Sequence, residues 1–143
     1  MNFKALPLSI LAFSMMAYPA QPPESHHSLS ISETHIYLEA YDYDFVEEQP
    51  QFPGGDQAML RFINNERRYP SLSYKTGVEG RVMCSFIVNA DGSLSHVAVV
   101  RGVSDDLNDE AVRVISKMPR WKPGKVGGET VPVYCLLTIP FRK

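Results

Sequence analysis

The chain has 143 residues, of which 44% are hydrophobic and 21% charged, a soluble composition sufficient for one domain with short appendages. Its 20 prolines and glycines are too few for a collagen-like or low-complexity chain, and a net charge of −2 gives no electrostatic reason to expect nucleic acid. The charge is uneven: residues 21–48 hold seven acidic side chains and no Lys or Arg, whereas residues 49–143 hold 13 basic and nine acidic ones.

Residues 1–20 read as an export signal. Lys4 supplies a positive start, and Ala5 to Ala17 is an uncharged, mostly apolar run of 13 residues, shorter than the ~20 residues of a spanning helix. The alternative for this segment is an uncleaved membrane anchor. Residues 21–49 form an acidic leader with His26, His27 and His35, better read as a solvated tail than as a metal site. Its scattered apolar positions (Ile31, Ile36, Leu38, Tyr41, Phe45) leave room for a strand or docking segment. The folded body is expected over residues 50–143.

Within the body, Phe52-Pro53-Gly54-Gly55-Asp56 is a turn leading into a helix over Gln57–Arg67, with Asp56 as its cap and Tyr69-Pro70 as its stop. Gly80–Asn89 alternates as a strand, with Val82, Cys84, Phe86 and Val88 on one face and Arg81, Met83, Ser85 and Ile87 on the other. Asn89-Ala90-Asp91-Gly92 turns the chain, and Leu94–Arg101 returns with Val97 and Val99 inward. His96, the only histidine of the body, reads as a surface residue. Asp105–Met118 carries one apolar stripe at Leu107, Ala111, Val114, Ile115 and Met118, with Ser104 as N-cap and acids in the first turns. Trp121 sits in a proline-bracketed turn. Thr130–Phe141 is the last strand, with Val131, Val133, Cys135, Leu137, Ile139 and Phe141 on one face. Pro132 and Pro140 fall on the other parity, which marks an edge because proline cannot donate to a ladder.

No phosphate loop, nucleophile triad or zinc spacing is present, and two cysteines fall short of a four-ligand site. The expected catalytic residues, metals and cofactors are therefore none, and the reading is a binding module rather than an enzyme.

Phe52-Pro53-Gly54-Gly55, Tyr69-Pro70, Gly80-Arg81-Val82, Asp91-Gly92, Asp109-Glu110-Ala111 and the run Met118-Pro119-Arg120-Trp121-Lys122-Pro123-Gly124 occur in an order that resembles the TonB C-terminal domain. Val131-x-Val133 and Ile139-Pro140-Phe141 extend the resemblance to the end of the chain. It implies an α+β fold with two helices packed on one face of a three-stranded antiparallel sheet. It also implies a periplasmic location and outer-membrane TonB-dependent transporters as partners, whose N-terminal box peptide pairs with the last strand. An inner-membrane proton-channel complex and a homodimer are further implied partners. Glu66, Tyr69 and Pro70 are placed by the resemblance beside the transporter, and Val131, Val133, Tyr134, Leu136 and Thr138 along the recognition strand. The departure is at the N-terminus: the family's transducers carry a membrane helix and a long proline-rich spacer, whereas this leader is short and acidic. The alternative within the same fold is a soluble envelope interaction module with no energy-transducing role.

In the implied topology the last strand lies beside the first, so Cys84 and Cys135 face the helices from antiparallel neighbours. Direct opposition permits a disulfide; a shift of two residues leaves two buried thiols instead.

Overall fold

The computed structural model describes residues 26–31 and 36–143, with side chains from Ala40 onward. The export signal at residues 1–20 lies outside the described residues. In chain order the elements are strands β1 (His26–Ile31) and β2 (Ile36–Asp42), helices α1 (Gly55–Glu66) and α2 (Ser71–Thr76), strands β3 (Gly80–Val88) and β4 (Leu94–Arg101), helix α3 (Asp105–Ser116), then β5 (Gly124–Val126), β6 (Glu129–Val131) and β7 (Val133–Phe141). A single 3-10 turn covers Tyr43–Phe45.

The large sheet runs β1-β2-β7-β3-β4, and β5-β6 is a separate hairpin. The expected trio of last, first and second body strands is present in that order as β7-β3-β4, antiparallel throughout. The expected sheet is nevertheless too small. Leader residues add the β1-β2 hairpin, and β2 joins β7 in parallel through Tyr41 and Asp42, so the sheet is mixed. The helix count also differs: α2 is a third helix. It has six residues, and only Ser73 is buried, so no apolar period marks it in the sequence. Pro70, expected to stop the preceding helix, also stands at the N-cap of α2.

Two boundaries move for identifiable reasons. Helix α1 starts two residues early, with Gly54 as its N-cap and Asp56 in the first turn rather than capping it. Gly54 has φ +87, and a Cβ there would come within 2.9 Å of Ala58 Cβ. The expected strand Thr130–Phe141 is split at Pro132 into β6 and β7. Strand β6 leaves the sheet to pair with β5, which puts Val131 opposite Gly124.

The core lies between the helices and one face of β7-β3-β4. Val82, Cys84, Phe86 and Val88 of β3 meet Leu107, Ala111, Val114 and Ile115 of α3, all essentially inaccessible. Each such large aliphatic or aromatic side chain contributes roughly 1.5–3 kcal/mol on full burial. Strand β4 keeps Leu94, Val97 and Val99 against this core although their parity conflicts. The conflict is resolved by extra residues: Ser95 to Ala98 on β4 oppose Ile87 to Ser85 on β3, a bulge that holds His96 at φ +54. His96 is exposed, and its Nδ1 lies 2.9 Å from its neighbour Ser95 Oγ.

Trp121 is 9% exposed and wedged edge-on between Phe52 and Phe86, with ring centroids 5.9 and 5.5 Å away. Its backbone N–H donates to Gly92 O at 2.8 Å. That approach requires glycine: φ is +86, and a Cβ would lie 2.2 Å from Trp121 O. On the far side of the body, Arg113 binds Glu110 and Glu66, both at 2.7 Å, and Glu110 also accepts the Arg68 N–H at 2.7 Å. The C-terminal end of α1 is thereby tied to α3.

The thiols are free and buried. Cys84 lies opposite Leu137 and Cys135 opposite Phe86, so the two are offset by two residues rather than opposed. Both face the core, where burial pushes Cys84 to about 11 and Cys135 to about 12.

Candidate partner-binding edge

Strand β7 is hydrogen-bonded along its whole length to β3, with Val133 opposite Val88 and Phe141 opposite Gly80. On its other side the Tyr41 N–H donates to Pro132 O at 2.9 Å. In an antiparallel ladder each residue turns its N–H and C=O to the same side, alternating along the strand. That single bond therefore assigns Pro132, Tyr134, Leu136, Thr138 and Pro140 to the outward side. The two prolines lie where no donor to β3 is required, which is why the strand tolerates them.

This outward side has three portions. Strand β2 takes the first, with Tyr41 and Asp42 opposite Val133 and Tyr134. Tyr41 also packs against the core, so the leader is held by side-chain burial as well as by the ladder. The third portion is closed by Arg67, whose Nη1 donates to Pro140 O at 2.7 Å. Between them Leu136 and Thr138 form the open portion; among the described residues no backbone hydrogen bond reaches their outward groups. Leu136 is 55% exposed.

The residues singled out in the sequence thus separate. Leu136 and Thr138 are on the open edge. Tyr134 is on the same strand but turns its outward groups to β2, and Val133 turns its own to β3, so the last strand is not wholly free. Val131 is in the β5-β6 hairpin, away from the edge. Glu66 is engaged with Arg113, and Tyr69 donates to Val78 O at 2.6 Å while its ring meets Tyr74 and Phe141. Pro70 O accepts the Tyr74 N–H at 2.9 Å. Through Arg67 and Tyr69, the Glu66–Pro70 segment is brought to the C-terminal end of β7, next to the open edge.

One feature was not legible in the residue pattern. A cleft of about 600 Å³ runs beside the edge, and four consecutive β7 residues, Tyr134 to Leu137, form one wall. It is also lined by Tyr43 to Phe45, by Phe52 before α1, by Asp56 and Met59 of α1, and by Trp121. Phe45 is 63% exposed. Burial first, then Cys135, Asp56 and Asp44, raise the Tyr43 phenol above its ordinary pKa. Among the described residues no three His, Cys, Asp or Glu side chains are grouped so as to hold a metal ion. What the arrangement offers is a short row of unpaired backbone groups beside an apolar trough, suited to adding an extended segment.

Residues 65–142 match the family model described as the Gram-negative bacterial TonB protein C-terminal. The protein TonB of two Helicobacter pylori strains is 41% identical over 54 residues, 37% of this chain and 19% of the relative. The match therefore spans about a fifth of the length of those curated relatives. A solution structure of the Helicobacter pylori TonB C-terminal domain is 30% identical, covering 60% of this chain and 90% of that one with a TM-score of 0.46. For the Pseudomonas aeruginosa TonB C-terminal domain the identity is 27%, the coverage 54% and 78%, and the TM-score 0.44.

Proposed function

Because the chain belongs to the family of Gram-negative TonB C-terminal domains, we propose that its body is a periplasmic partner-binding domain of TonB-dependent transport. It pairs β7 with the N-terminal box peptide of outer-membrane transporters. The open edge at Leu136 and Thr138 is the observation that carries this reading. Two outward residues present two N–H donors and two C=O acceptors, enough for a short added strand in register with β3 and β4 beyond it. Backbone pairing gives affinity without requiring a particular sequence, and the adjoining cleft supplies selection among side chains.

The recognition row is centred on Leu136 and Thr138, because β2 takes up the outward groups of Pro132 and Tyr134. Glu66, Tyr69 and Pro70 then act at the end of that row, by holding Arg67 against Pro140 O and fixing where the added strand must stop. Residues 1–20 serve to export the chain, and the acidic leader, residues 21–49, precedes the body. No step of this function requires covalent chemistry, and the two thiols, held protonated by burial, are packing groups rather than nucleophiles.

The test is Leu136→Pro in the full chain. Proline at this outward position removes one donor to the partner and none to β3, as Pro132 and Pro140 already do. Binding of a transporter box peptide, followed by calorimetry, should fall at least about tenfold, in line with about 1.5 kcal/mol for a lost backbone hydrogen bond. The thermal transition should remain cooperative. Unchanged affinity in a folded variant places recognition elsewhere.

A further inference from the structure

The cleft beside the open edge carries charge of one sign. Asp42, Asp44 and Asp56 line it, and no Lys or Arg does. Asp44 and Asp56 are exposed and, among the described residues, neither belongs to an ion pair. Among the described residues no three His, Cys, Asp or Glu side chains are grouped so as to hold a metal ion, and the exposed carboxylates of Asp44 and Asp56 suit an organic cation. Phe52, Met59 and Leu137 contribute apolar surface to the same lining. Trp121, 9% exposed, also borders the cleft, and among the described residues its buried indole N–H has no acceptor.

Resting on the reading that β7 takes an added strand, we propose that this cleft selects an extended partner segment bearing a Lys or Arg beside an apolar residue. The segment's backbone pairs with Leu136 and Thr138, its apolar side chain enters over Phe52 and Met59, and its cation faces Asp44 and Asp56. The physical reason is the cost of the alternative. Docking any strand here takes water away from carboxylates at the cleft mouth. A cation compensates them, whereas a neutral segment leaves them less solvated and an acidic one adds repulsion. Apolar walls of low polarisability strengthen the preference by focusing the field.

A second copy of this chain does not meet the requirement. Its own exposed strand, Val133–Phe141, contains no Lys or Arg, so β7-to-β7 pairing supplies no cation to the cleft. The occupant is a different protein's basic extended segment.

Trp121 is the chain's single tryptophan and borders the cleft, so its emission reports occupancy by peptides that lack tryptophan. The probes are acetylated, amidated hexapeptides of alternating Val and Thr, with one Lys scanned through each position, and the same set with norleucine in place of Lys. Titrated into the full chain at about 50 mM salt, the best Lys peptide should bind at least about fivefold tighter than its norleucine counterpart. The preference should shrink towards parity at about 500 mM salt, and in a D44N/D56N variant, whose two exposed substitutions leave the core untouched. Equal binding of both sets, or a preference that survives in D44N/D56N, overturns the charge selection and leaves strand addition standing. Binding undiminished in Leu136→Pro overturns strand addition, and failure of every peptide to bind overturns both.

Discussion

Replacing Trp121 with alanine removes a ring that is 9% exposed and held edge-on between Phe52 and Phe86. A tryptophan in such a position buries on the order of 150–250 Å², which at about 25 cal/mol per Å² corresponds to about 4–6 kcal/mol. Alanine retains part of that burial. The edge contacts, worth roughly 0.5–1.5 kcal/mol each, are lost as well. Against this stands the indole N–H, buried without an acceptor, which costs about 1–3 kcal/mol in the native protein and disappears with the ring. The expected net loss is about 3–5 kcal/mol, within the range for large aromatic truncations. Trp121→Phe separates the two contributions: it keeps an aromatic wedge and deletes the orphan donor, so its loss should be under about 1.5 kcal/mol. Urea unfolding followed by far-ultraviolet circular dichroism measures both without relying on tryptophan emission. A Trp121→Ala variant within about 1 kcal/mol of the parent would refute the wedge, and a Phe variant as damaged as the Ala variant would refute the orphan donor.

Other consequences are equally concrete. Gly92→Ala should cost at least about 2 kcal/mol in the same assay, because it combines a left-handed φ with a 2.2 Å collision at Trp121 O. Gly127→Ala, at φ +59 with open space around it, should cost only about 1 kcal/mol; equal effects would mean that the Trp121 contact is not tight. Cys84 and Cys135 should resist a thiol reagent at pH 8 in the folded chain and both react in urea. Their folded pKa values, about 11 and 12, lie above the ordinary value of 9.0. The unfolded chain therefore releases protons first, and stability should decline as pH rises above about 9; a flat profile to pH 10 contradicts that burial. Deleting residues 1–42 removes β2 and frees the outward groups of Pro132 and Tyr134, so self-association should rise with concentration in sedimentation. A strictly monomeric truncated chain would mean that β2 does not guard the edge.

The parts of the fold readable from sequence were those with strong local periodicity. Strand β3 was visible from the alternation of Val82 to Val88, β4 from its valines and the Asp91-Gly92 turn, and α3 from a five-residue apolar stripe behind Ser104. Local pattern failed where pairing is long-range or where a side chain decides the matter. Nothing between Ile36 and Asp42 announces a parallel partner nearly a hundred residues away, because the specifying events are the Tyr41 ring in the core and one N–H to Pro132 O. Proline 132 was legible as an edge marker, yet not as the point where β6 departs. The offset of Cys84 and Cys135 depends on register, which alternation leaves undetermined in steps of two. For the site, the parity of Pro132 and Pro140 marked the last strand as an edge, while Leu136 and Thr138 were named only through the family resemblance, together with Val131, Val133 and Tyr134. The cleft did not emerge, because its walls come from Asp44, Phe52, Asp56 and Trp121, which only the fold brings together.

Hydrogen exchange at the Leu136 and Thr138 amides tests the central claim most directly, read residue by residue in the full chain with and without a saturating transporter box peptide. In the free protein both should exchange rapidly while the β3-facing amides of Cys135, Leu137 and Ile139 are protected, and on binding both should become protected together. Binding that leaves the Leu136 and Thr138 amides as fast as before, or protection of both in the free chain, would contradict recognition by strand addition at this edge.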